Sequence, residues 1–168
     1  DLLYEITNSG TSFNLRIGAA FANAFTVNWG DGSPDESFTN SEGTHTYSAA
    51  GNYKIKINND HVSGRMRPNF SFNASDAAQL TSISIGSTTI LNSSNTSLER
   101  SFRGATNLTS IEIPFSATTG ITNYNETWNN CSSLTSFPLI DTSSGTDFLN
   151  TWRDCSSLTS FPLIDTSS

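Results

Sequence analysis

Apolar residues follow two different rhythms along this chain. Over the first third they come in short runs rich in aromatic and β-branched side chains: Leu2–Thr7, Phe13–Ile17, Phe25–Trp29, Thr44–Tyr47 and Tyr53–Ile57. Clusters of turn-forming residues separate these runs, namely Asn8-Ser9-Gly10, Gly30-Asp31-Gly32-Ser33-Pro34 and Ala49-Ala50-Gly51-Asn52. Such runs suit a pleated, half-buried surface, and several of them punctuated in this way predict a small β-sandwich over residues 1–58.

From residue 80 the rhythm becomes a long repeat. Leu80-Thr81-Ser82-Ile83-Ser84-Ile85 returns as Leu108-Thr109-Ser110-Ile111-Glu112-Ile113, then as Leu134-Thr135-Ser136-Phe137-Pro138-Leu139 and Leu158-Thr159-Ser160-Phe161-Pro162-Leu163. The leading leucines are 28, 26 and 24 residues apart, and the stretch Cys131–Ser144 is repeated letter for letter as Cys155–Ser168. A period of 20–29 residues around an L-x-x-L-x-L core is the pattern of leucine-rich repeats. One such coil cannot bury its apolar edge alone, so coils must stack.

Ahead of each repeat core, Leu98, Phe102 and Ala105 recur as Tyr124, Trp128 and Cys131, and then as Phe148, Trp152 and Cys155. Offsets of four and seven mark one face of a helix. They predict short helices or helical turns over 97–106, 123–131 and 147–155, with Thr122 and Thr146 as N-caps. Proline lacks an N–H, so Pro138 and Pro162 predict strand ends that pair on one side or not at all. Residues 59–79, with Phe70 and Phe72 alternating like a strand, are expected to form a connector or capping coil that seals the first repeat of the 80–168 region. The fold class expected is mainly β with short helices: a sandwich followed by a leucine-rich-repeat-type solenoid.

Composition narrows the function. Charged residues are only 14 % of the chain, well below the average for globular proteins, and Ser, Thr and Asn take their place. Neutral polar surfaces of this kind correlate with extracellular, cell-surface or virion-surface locations. The net charge is -7, and the eight basic residues form no run, Arg65 and Arg67 being a close pair but a weak patch. Nucleic-acid binding needs a basic stripe, so it is not expected. No stretch approaches the length of a membrane-spanning helix, and membrane insertion is not expected. Because the chain opens on Asp1 and stops inside a repeat, a longer native protein is expected.

Two resemblances sharpen these expectations. Val27-Asn28-Trp29-Gly30-Asp31-Gly32, followed by His45-Thr46-Tyr47 and Gly51-Asn52-Tyr53-Lys54-Ile55-Lys56-Ile57, resembles the polycystic-kidney-disease-type (PKD) domain, which carries W-G-D-G, H-x-Y and G-x-Y-x-V. The domain is shorter here than is usual for that family. Trp128-Asn129-Asn130-Cys131-Ser132-Ser133-Leu134 and Trp152-Arg153-Asp154-Cys155-Ser156-Ser157-Leu158 resemble the BspA-like leucine-rich surface repeats. In the preceding coil Phe102 and Ala105 replace the Trp and Cys. Together the resemblances imply attachment or display, without naming a ligand.

The candidate chemistry is sparse. Asp31, Asp35 and Glu36 are weak candidates for calcium, since hard cations take several oxygen ligands, but the preferred reading is a hairpin turn. Cys131 and Cys155 occupy equivalent coil positions and are read first as small packing residues and second as a disulfide. His45 is read as structural, beside Tyr47. There is no G-x-S-x-G, H-E-x-x-H, phosphate loop or G-x-G-x-x-G. No catalytic residue, cofactor or enzymatic activity is expected. The expected core includes Trp29, Leu80, Leu108, Trp128, Cys131, Leu134, Trp152, Cys155 and Leu158.

The remaining candidates are the solvent-facing positions of the repeat core: Thr81, Ser82 and Ser84; Thr109, Ser110 and Glu112; Thr135, Ser136 and Pro138; Thr159, Ser160 and Pro162. They predict a flat hydroxyl ladder able to contact glycan, another protein or a second copy of the chain. Surface display or adhesion is therefore the expected role. A virion or filament component, such as a phage fibre or decoration protein, is the alternative.

Overall fold

The structure is a computed structural model that describes residues 2–16, 25–39, 42–58, 73–85, 96–161 and 164. The element order is β1 (Leu2–Ser9), β2 (Ser12–Arg16), β3 (Phe25–Asn28), β4 (Glu36–Phe38), β5 (Glu42–Thr46), β6 (Ala50–Asn58), α1 (Ala74–Ala77), β7 (Leu80–Ile85) and β8 (Ser110–Glu112), followed by a 3₁₀ turn at Phe115–Ala117. The fold is mainly β. A mixed six-stranded sheet runs in the order β4-β3-β6-β1-β7-β8, and β2 and β5 form a second, two-stranded sheet. Side chains from both sheets share one core, as in a β-sandwich.

The strands follow from alternation. Tyr4 and Ile6 in β1, Phe13 and Leu15 in β2, Phe25 and Val27 in β3, and Ile55 and Ile57 in β6 are all buried, while Lys54 and Lys56 between them are exposed. Side chains two apart point to the same face of a strand, so each run supplies one wall of the core. The five predicted strands are all present within a few residues of the expected bounds, although Ile17 lies outside the described residues. β4 was not predicted. It is three residues long and carries a Glu, yet it pairs with β3 in the register Phe25↔Phe38 and Val27↔Glu36.

The sandwich and the repeat region share the large sheet. β1 pairs antiparallel with β6 on one side and with β7 on the other, Leu2 facing both Ile57 and Ile85. A bulge between Glu5 and Ile6 explains the L-x-x-I-x-I spacing. Leu80, Ile83 and Ile85 are all buried, and the extra residue at Thr81 converts a three-residue step into the two-residue step of a regular strand. β8 then adds to β7 in parallel, Ile83 opposite Ile111.

A polar latch closes the same junction. The buried Asn8 donates from Nδ2 to Gln79 Oε1 at 2.6 Å, and the Thr7 N–H donates to the Gln79 carbonyl at 2.8 Å. Asp76, 2 % exposed, accepts from Asn14 Nδ2 at 3.0 Å. Asn73 caps α1 by accepting the Asp76 N–H at 2.9 Å. The strand expected at Phe70 and Phe72 falls outside the described residues.

Of the short helices or helical turns expected over 97–106, 123–131 and 147–155, no helix forms, which corrects the helical part of the periodicity argument. These segments are successive tight turns closed by i→i+3 hydrogen bonds, such as Ser101 N–H to Leu98 O and Ala105 N–H to Phe102 O. Left-handed residues break any helical run: Arg100, Glu126 and Asn150 at φ 56°, 52° and 54°, and Gly104, Asn130 and Asp154 at φ 80°, 63° and 61°. Thr122 and Thr146 cap nothing. Their N–H groups donate to the Thr96 and Thr122 carbonyls of the preceding segment at 2.9 and 2.8 Å. No strand forms over 134–140, where Pro138 takes the place that Glu112 holds in β8.

Candidate functional site

Segments beginning near residues 97, 123 and 147 lie on one another in parallel, joined by the bridges Ser97↔Asn123 and Asn123↔Asp147. Alternate amides carry the pairing. Leu98, Arg100, Phe102 and Gly104 donate to the carbonyls of Asn123, Asn125, Thr127 and Asn129, all at 2.8–3.0 Å. Tyr124, Glu126, Trp128 and Asn130 repeat this toward Asp147, Leu149, Thr151 and Arg153 at 2.7–2.9 Å. Equivalent residues therefore form columns, which spread over the surface any chemistry that a column carries.

The inner columns are structural. Phe102, Trp128 and Trp152 stack with centroids 6.1 and 6.0 Å apart, and Tyr124 lies on Phe148 at 5.1 Å. Phe137 meets Trp128 edge-on at 4.4 Å. Leu80, Leu108, Leu134, Cys131 and Trp29 are fully buried, while Trp152, Cys155 and Leu158 pack against the core and remain half-buried. Both cysteines are free. The Cys131 thiol donates to Phe102 O at 3.3 Å and the Cys155 thiol to Trp128 O at 3.1 Å. Burial pushes both thiols above their ordinary pKa, further for Cys131.

Sequence reasoning missed one inner column, Ser101, Thr127 and Thr151, all essentially inaccessible. Thr127 Oγ1 is shared between the Tyr124 carbonyl of its own segment at 2.7 Å and the Leu98 carbonyl of the one before at 2.9 Å, and Thr151 Oγ1 lies 2.9 Å from the Tyr124 carbonyl, so both hydroxyls reach the preceding segment. The signal was available: Thr127 and Thr151 are 24 residues apart, one position ahead of the two tryptophans.

The predicted hydroxyl ladder is only partly flat and free. Ser82 pairs with Ser110, and Ser84 with Glu112, across β7 and β8. The Ser84 hydroxyl donates to Glu112 Oε2 at 3.0 Å. Thr81 and Thr109 spend their hydroxyls on backbone: Thr81 Oγ1 donates to Glu5 O, and Thr109 Oγ1 to Thr81 O, each at 3.1 Å. Thr135, Ser136, Thr159 and Ser160 are exposed, but they lie on non-strand backbone. Pro162 is outside the described residues.

The acidic turn is organised around a histidine. Asp31 Oδ1 accepts from the Ser33 hydroxyl at 2.6 Å and from its N–H at 3.0 Å, and Asp31 Oδ2 lies 2.8 Å from His45 Nε2. The Ser33 hydrogen bonds, aided by His45, hold the Asp31 carboxyl down at about 2. Glu36 Oε1 is 3.3 Å from the other ring nitrogen of His45, and Asp35 accepts from Asn28 at 2.6 Å. The imidazole stacks on Trp29 at 4.9 Å, and Tyr47 OH donates to the Trp29 carbonyl at 3.0 Å. His45 is thus held between Asp31, Glu36 and Trp29, beside Tyr47. The three carboxylates are engaged by side chains, and among the described residues no group of His, Cys, Asp and Glu is arranged to hold a metal.

The outer columns offer a second polar surface. Arg103, Asn129 and Arg153 are equivalent to one another, as are Gly104, Asn130 and Asp154. A groove of about 510 Å³ is bounded by Arg103, Gly104, Asn129, Asn130 and Asp154, together with Ala74 and Arg100. Glu126 ties the arginines together. Its Oε2 lies 2.7 Å from Arg100 Nε and 3.3 Å from an Arg103 terminal nitrogen. The Arg100 hydrogen bond, with Arg103 and Arg153 beyond it, holds Glu126 below the usual carboxylate range.

No family model, no curated protein and no solved structure matches this chain.

Proposed function

We propose that this chain is a non-enzymatic, extracellular module for surface display or adhesion. In this reading residues 1–58 are a PKD-like mount, and residues 80–168 are a leucine-rich solenoid of BspA type that presents repeated polar columns to glycan or protein. The observation that carries it is the in-register pairing of the segments at 97, 123 and 147. Stacked repeats keep a constant interior and leave their outer columns as an extended contact surface. The W-G-D-G and H-x-Y residues support the PKD-like reading, since Trp29, His45 and Tyr47 form one packed unit.

The test is binding of the purified chain to an array of glycans and host-surface proteins, with mass followed by light scattering. A monomer that binds is the expected result. A monomer that binds nothing overturns the proposal. The second reading, a virion or filament component, draws on the half-exposed apolar end of the stack, where Phe161 is 52 % and Leu149 62 % exposed. Ordered polymers without ligand binding would favour it.

A further inference from the structure

Arg100 and Arg103 stand together on one flank of the stacked segments, both within reach of Glu126 on the next segment. The flank also holds the groove bounded by Arg100, Arg103, Asn129, Asn130 and Asp154. Residues from three successive segments thus meet in one concavity.

The chemistry of the walls restricts what fits. Arg100 and Arg103 share a single carboxylate oxygen of Glu126, so two guanidinium charges rest on one acceptor atom. Glu99 stands farther off, 3.9 Å from Arg100 Nε. Arg153 has its neighbour Asp154 at 3.5 Å, with both side chains 64 % exposed, where an ion pair is largely screened by water. Arg100 and Arg103 are themselves half exposed, at 50 % and 52 %. A guanidinium anchored at one edge is a preset fork for a second carboxylate. Asn129 and Asn130 add amide donors and acceptors, and Asp154 adds an acceptor. These are the groups that hydroxyls require. Among the described bounding residues the only apolar side chain is that of Ala74, whereas peptide interfaces concentrate their binding energy on aromatic or aliphatic anchors.

We propose that this groove binds an acidic saccharide: the arginines take a sugar carboxylate, and Asn129, Asn130 and Asp154 take neighbouring hydroxyls. The site lies on the left-handed turn columns and not on the Ser/Thr positions of the repeat core. The proposal rests on the stacked-repeat adhesion reading and makes it specific, since it names the face and the ligand class.

The experiment is ¹⁵N NMR on the whole chain with three additions: tetragalacturonate, its methyl ester, and a tetraglutamate peptide. Hydrogen exchange is measured first. Slow exchange at the Gly104 and Asn130 amides is expected from their bonds to Asn129 O and Arg153 O. Fast exchange at both overturns the stacked-repeat reading itself. With those amides protected, tetragalacturonate is expected to shift the Gly104, Asn129 and Asn130 resonances, and the ester to bind about tenfold more weakly for want of the charged acceptor. Arg100→Gln and Arg103→Gln are expected to weaken binding by a similar factor and leave the protection pattern unchanged. Absence of shifts, equal binding of the ester, equal binding of tetraglutamate, or unchanged affinity in both variants would each overturn the groove proposal and leave the stacking intact.

Discussion

Trp152 lies on Trp128 with ring centroids 6.0 Å apart and planes 8° from parallel, nearly repeating the relation of Trp128 to Phe102 at 6.1 Å and 24°. Sequence positions 24 and 26 apart are thereby adjacent in space, and the contact gives a direct handle on whether the segments hold one another.

Trp128→Ala is expected to destabilise the chain by about 3–5 kcal/mol in urea unfolding, because a fully buried indole is replaced by a cavity between two rings. Trp152→Ala should cost less, since that ring is half-buried. Trp128→Phe should be milder than either, for two reasons. Phe102 fills the same column one segment earlier, and the Trp128 indole N–H has no hydrogen-bond partner to lose among the described residues. A cost below 1 kcal/mol for Trp128→Ala would mean the stack does not form.

Thr127→Val and Thr151→Val keep the branched shape and remove the tethering hydroxyl. Each is expected to cost about 1 kcal/mol, the usual net worth of one hydrogen bond. Thr135→Ala, at an exposed position, should change stability by no more than about 0.5 kcal/mol. Equal effects at Thr127 and Thr135 would show that the buried column contributes nothing.

Gly30 adopts φ +79°, and a Cβ there would come within 2.4 Å of the Lys54 carbonyl oxygen. Gly32 has φ +86° but open space around it. Gly30→Ala is therefore expected to destabilise by about 3 kcal/mol or more, from backbone strain and collision together, and Gly32→Ala by about 1 kcal/mol from strain alone. Thermal unfolding of the two variants checks the order.

Asp31 has its carboxyl lowered from 3.8 to about 2 in the folded chain, mainly by Ser33 and then by His45. A depressed folded-state value means that the unfolded chain takes up the proton first as the medium is acidified. The stabilisation is whole above about pH 4 and disappears as the pH falls toward 2. Asp31→Asn should flatten the fall in urea midpoint across that interval relative to the parent chain. An unchanged slope would assign the acid sensitivity to other carboxylates.

The thiols give a chemical check. Cys155 is half-buried and Cys131 is inaccessible, so a thiol reagent should label Cys155 slowly in the native state and Cys131 only after unfolding. Rapid labelling of both would place Cys131 outside the core.

Much of this architecture was readable from residue order. Alternation at Tyr4, Ile6, Ile55 and Ile57 reports strands directly, because a pleated chain has a side-chain period of two. The spacing of Leu98, Phe102 and Ala105 was misleading. A tight turn that reverses through a left-handed residue returns side chains to one face at four and seven just as a helix does. Gly104, Asn130 and Asp154 in one column were the clue, since short polar side chains and glycine tolerate that conformation. β4 escaped notice because three residues with a charge carry too little pattern. The groove was invisible for a different reason: Arg103, Asn129 and Asp154 become neighbours only through stacking.

β1 is made before both of its lateral partners, β6 and then β7. Until residue 85 has left the ribosome, one rim of that strand presents bare amides and carbonyls to any other nascent chain nearby. A fragment ending after β6 would keep that rim exposed for good, with clumping as the foreseeable fate.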